Sequence, residues 1–112
     1  KHKLKYIIKI TNLYLIIVAM INKNIIKIRK KLDILDNQLL VIIKKRTNLV
    51  NQVIQNKKFK KDIVDKKRIS LILKNIYKKS KDKKIDPKIT NKIWKSMISA
   101  FIDYEYRNFK KK

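Results

Sequence analysis

Arg29, Arg46 and Lys57 fall 17 and then 11 residues apart, in a stretch that contains neither Gly nor Pro. On a helix turning about 100° per residue, the second interval returns Lys57 to within ~20° of the face that carries Arg46. Two cations three turns apart on one face can grip an anion. Arg46 also interrupts an otherwise apolar stripe, where an unpaired guanidinium is costly and calls for an acidic ligand. For Lys57 alone, snorkelling to water is the plainer reading. Arg29 stands about 25 Å from Arg46 along such a helix, too far to serve the same small site in one subunit. It either pairs with Asp33 one turn on, for a few tenths of a kcal/mol, or reaches a site in a second subunit. Asp65-Lys66-Lys67-Arg68 reads either as part of a ligand site or as a capped helix start with a solvated first turn. Glu105 is the chain's only glutamate, and Trp94, Ile98, Phe101 and Glu105 are spaced 4, 3, 4. It therefore shares a helical face with apolar residues, where burial disfavours a charged carboxylate unless a cation sits beside it. The alternative is a surface pair with Arg107 or a lysine.

Composition explains why these few residues stand out. The chain has 112 residues, a formal net charge of +24, and 28 Lys against 4 Arg. Charge alone suggests a basic nucleic-acid-binding helical domain. However, Ile and Asn are also abundant, Ala is scarce and Gly is absent, the pattern of AT-rich codons. Most lysines then reflect codon bias on a solvated surface. An arginine that persists marks a place where a planar, bidentate grip is needed. Without Cys, and with His2 as the lone His, the chain has no disulfide framework and no Cys or two-His zinc site. Without Gly there is no P-loop or dinucleotide-binding turn.

The elements that must carry these residues are helices. Ile25, Ile28, Leu32, Leu35, Leu39, Ile42, Leu49 and Val53 form a heptad seam, interrupted at Arg46, along one helix predicted over about residues 22–58. So long a helix in so short a chain cannot cover its own stripe, which predicts a partner helix in a two-fold dimer. Asp62 or Asp65 caps a second helix carrying Ile69, Ile72, Leu73, Ile76 and Tyr77 and ending near Ser80. A charged loop follows over 81–85, and Asp86-Pro87 opens a third helix that ends near Phe109. Residues 1–21 read as an N-terminal extension and 22–112 as the helical domain. Within the extension, the apolar run Leu13 to Ile21 is too short to span a bilayer. It looks like part of a secretory signal but lacks a small-x-small cleavage site, and translation upstream of a start at Met20 explains it better.

These residues together resemble the all-helical chorismate mutases. Arg29…Arg46…Lys57…Asp65-x-x-Arg68…Glu105 is similar to that family's site pattern, and residues 28–58 look like its first helix throughout. The resemblance implies an all-α, three-helix, intertwined homodimer whose first helix is very long. It implies conversion of chorismate to prephenate without metal or cofactor, in the cytoplasm, with no nucleic-acid or membrane partner. Arg29 of the partner subunit and Arg46 would hold carboxylates of this small dicarboxylate substrate. Lys57 would donate to the breaking ether oxygen and Arg68 would complete the anionic pocket. Asp65 would position the ring hydroxyl, and Glu105 would supply a second donor to the ether oxygen, which requires its protonated form. Two positions depart from the family: Ile69 stands where a glutamate is usual, and Phe101 where a serine is usual. Both are similar to the related isochorismate-pyruvate lyases, which share the fold.

Overall fold

The computed structural model describes residues 2–110. Three α-helices and one short 3-10 turn make up the fold, with no strand among the described residues: α1 (His2–Asn56), the turn Lys60–Asp62, α2 (Lys66–Asp82) and α3 (Pro87–Asn108). The all-helical expectation and the very long first helix both hold. With no Gly or Pro before residue 87, nothing stops α1 early, and it runs to 55 residues. It therefore begins some twenty residues before the predicted start, and no break marks residue 21 or 22.

The chain divides into two units, one ending at Ile43 and the other starting at Lys44. The first is a single stretch of α1 in which no described residue is buried. Its seam residues Ile28, Leu32 and Leu39 are each more than half exposed. Near its N-terminus an 18-residue window has a mean hydropathy of 1.8 and is 0% buried. By length and composition that window could cross a membrane, which corrects the reading that the apolar stretch is too short. The run Leu13–Ile21 is indeed short, but continuous helix adds Leu4, Ile7, Ile8 and Ile10 to the same apolar surface.

The second unit contains the end of α1, the 3-10 turn, α2 and α3. Asp65 rather than Asp62 caps α2, its carboxylate accepting from the Arg68 backbone N–H at 3.0 Å. Asp86 caps α3 by accepting from the Lys88 N–H at 2.9 Å, with Pro87 in the first turn as the sequence predicts. The loop predicted from residue 81 starts slightly later. Helix α2 runs to Asp82 and closes with paired bonds from the Ile85 N–H to Ser80 O and from the Lys84 N–H to Lys81 O. Such a closure needs a left-handed residue, normally glycine, and Lys84 fills it at φ 58°. Where α2 meets α3, the buried hydroxyls of Ser80 and Thr90 lie 2.7 Å apart, and Ser80 donates onward to Ile76 O. Burial is shallow: Ile54 and Ile63 are the buried apolar side chains, and Trp94, Met97, Ile98 and Phe101 are half-buried.

Candidate functional site

The site is assembled where the C-terminal end of α1 meets the last two turns of α3. Lys57 follows directly on α1, its N–H still bonded to Val53 O and Ile54 O. The 3-10 turn then folds the chain back, so that the carbonyl of the nearly inaccessible Ile63 accepts from Lys57 Nζ at 3.2 Å. Glu105 arrives from α3 and places Oε1 3.5 Å from the same ammonium. The two side chains retain 22% and 9% of their exposure, so the pair is partly shielded from solvent. An ammonium has three N–H donors, and the bond to the Ile63 carbonyl leaves two to share between Glu105 and a ligand. Glu105 is thus not a surface partner of Arg107, which instead pairs with Asp103 at 2.9 Å.

Arg46 lies three turns up α1 from Lys57. Its guanidinium carbon sits 5.5 Å from the centroid of the Phe101 ring, one turn before Glu105 on α3. Its Nε is buried and has no hydrogen-bond partner. A buried N–H without an acceptor costs about 1–3 kcal/mol, which an arriving anion would recover. Phe101 is fixed in turn by Tyr104, whose ring meets it edge-on at 6.5 Å and whose hydroxyl donates to Asn51 Oδ1 at 2.7 Å. Aromatic and amide groups on α1 and α3 therefore hold the cation in place.

The other sequence-predicted residues fall less centrally. The Asp65 carboxylate is engaged in the α2 cap, and Arg68 is exposed in the first turn of that helix. Arg29 is exposed in the first unit, and among the described residues no ion pair joins it to Asp33. The structure thus sets Arg46 against Phe101 and Lys57 against Glu105, one turn further along α3, while Arg29 belongs to the other unit. Sequence reasoning missed Ile63, Asn51 and the support role of Phe101. The first acts through its backbone, which no side-chain pattern reveals. Asn51 and Phe101 become legible only once α1 and α3 are docked.

This arrangement can bind a small anion between a guanidinium and an ammonium while presenting a carboxyl group to the same ligand. It contains no activated nucleophile, so it suits charge stabilisation of a bond reorganisation better than covalent catalysis. Comparison with known proteins points the same way. Residues 28–106 match the chorismate mutase type II family, taking in every site residue discussed above. No curated protein and no solved structure gives a significant match. The match covers well over half of the sequence, and the chain belongs to the chorismate mutase type II family.

Proposed function

We propose that the protein rearranges chorismate to prephenate, and that it does so as a homodimer. The observation that carries this reading is the buried, unpartnered Nε of Arg46 beside the Lys57–Glu105 pair. The substrate is a dicarboxylate whose reaction breaks one C–O bond and forms one C–C bond within the same molecule. Its barrier falls if the enzyme holds the folded reactive conformer and stabilises negative charge on the departing ether oxygen. Arg46 grips one carboxylate, satisfying its idle N–H. Lys57 turns its remaining donor to the ether oxygen, and Glu105 holds the Lys57 ammonium in place for it. Arg68 and Asp65 flank the ring from the start of α2.

The uncovered seam of α1 supports the dimer: Ile28, Leu32, Leu35 and Leu39 are each more than half exposed and fall at the three-four spacing of a helix-pairing stripe. In the dimer, Arg29 of the partner subunit completes the anion site.

A second reading, isochorismate-pyruvate lyase, is favoured by one specific contact. Phe101 lies against Arg46 where the family usually has a serine, and half-buried Ile69 replaces the usual reader of the ring hydroxyl. Isochorismate carries that hydroxyl elsewhere on the ring. Parallel assays of the purified chain decide between the two. Loss of chorismate with formation of prephenate supports the mutase, and release of pyruvate and salicylate from isochorismate supports the lyase. Turnover of neither substrate above background sinks both.

A further inference from the structure

Residues 2–21 of α1 precede the family match, which starts at residue 28, and none of them is buried. Ile7, Ile10, Tyr14, Ile17 and Ile21 are spaced 3, 4, 3, 4 and share one face of α1. Lys5, Lys9 and Asn12 lie on the opposite face, and Lys23 and Lys27 continue that line. Over 13–21 the apolar surface widens to the whole circumference. No Asp or Glu precedes Asp33, whereas eight Lys and Arg29 do.

We propose that residues 2–21 lie in the interface of an anionic lipid bilayer. The isoleucine face enters the acyl boundary and the lysine line meets the phosphate headgroups. Three observations favour this occupant. The apolar surface is broader than the narrow stripe one partner helix covers, since Leu4 and Leu13 flank the central face and are each more than half exposed. Residues 2–21 carry Lys3, Lys5 and Lys9 and no acid, a charge that complements anionic headgroups. The uninterrupted apolar run 13–21 is about 14 Å long at 1.5 Å per residue, well short of a hydrocarbon core of about 30 Å. Lengthening it to 18 residues brings Lys5 and Lys9 inside, so lying flat suits the segment better than crossing.

The test is co-sedimentation of the full chain with vesicles of phosphatidylcholine alone, or of equal parts phosphatidylcholine and phosphatidylserine. The chain should pellet with the mixed vesicles, far less with the neutral ones, and be released by alkaline carbonate. Lys5→Gln with Lys9→Gln should weaken binding roughly thirtyfold, corresponding to about 1 kcal/mol per lysine. Ile10→Asp with Ile17→Asp should abolish pelleting while circular dichroism shows the helices retained. No pelleting on mixed vesicles overturns the proposal. So does undiminished pelleting of the Asp variant, which would mean attraction by charge alone. Carbonate-resistant retention would mean a spanning helix, and a cellular product clipped after this segment would mean a leader; either also overturns it. None of these readouts depends on the chorismate assay.

Discussion

Replacing Arg46 with Met separates what the guanidinium costs the fold from what it contributes to the reaction. Met keeps much of the apolar stem and removes the buried Nε that finds no acceptor. Relief of that group is worth about 1–3 kcal/mol, and loss of the contact with the Phe101 ring offsets about 0.5–1 kcal/mol. The variant should therefore be more stable by up to roughly 2.5 kcal/mol, a rise of several degrees in Tm for a domain of this size. Activity should move the opposite way. Two charge-assisted hydrogen bonds to a carboxylate, at about 1.5–3 kcal/mol each, correspond to a loss of roughly a hundredfold to ten-thousandfold in kcat/KM. The assay pairs thermal melts at one protein concentration, since the Tm of the proposed dimer would depend on it, with initial rates of chorismate loss. Prephenate should raise the Tm of the parent and not of the variant. A variant that melts below its parent would refute the claim that the empty Nε destabilises the fold. One that keeps its turnover would refute Arg46 as the carboxylate grip.

Lys84→Gly should stabilise the chain by about 1 kcal/mol, because glycine holds the left-handed turn without the Cβ penalty, and a chemical denaturation midpoint reads this directly. Ser80→Ala alone should cost about 1 kcal/mol by removing the buried bond to Thr90, whose hydroxyl keeps only its long bond to Pro87 O at 3.4 Å. Ser80→Ala with Thr90→Val should cost less than the two single changes summed, as a double-mutant cycle in urea measures. Glu105→Gln places an amide donor where the carboxylate now pairs with Lys57 and should raise chorismate turnover by offering the ether oxygen a second donor; turnover unchanged or lowered removes that role.

Much of the fold was legible because helices announce themselves locally. The three-four spacing from Ile25 to Val53, the Asp86-Pro87 start and the Asp65 cap each depend on residues within one or two turns. The length of α1 was not. Its polar residues near 22–24 look like a boundary, yet Asn and Lys are tolerated in a helix when nothing breaks it. The turn after α2 was hidden for a different reason. With no Gly available, the left-handed position falls to a lysine that looks like any other. In the site, the cation spacing of Arg46 and Lys57 was readable along one helix. The meeting of Lys57 with Glu105 was anticipated only as a need for some cation. Its second partner, the Ile63 carbonyl, belongs to backbone geometry that side-chain types do not encode.

The span of the polar links has a consequence for the order of folding. Ser80 and Thr90, which join α2 to α3, are 10 residues apart in the chain, whereas Asn51 and Tyr104, which join α1 to α3, are 53 apart. Loop closure over the longer interval costs about 1.5 kcal/mol more entropy. Helices α2 and α3 can therefore pair early as a hairpin, and docking onto α1 comes later. Arg46 sits on α1, Lys57 directly after it and Glu105 on α3, so the candidate site is assembled at the late, costly step. Hydrogen exchange should find the α1–α3 junction opening before the α2–α3 hairpin, and mutations at the junction should speed unfolding more than they slow folding.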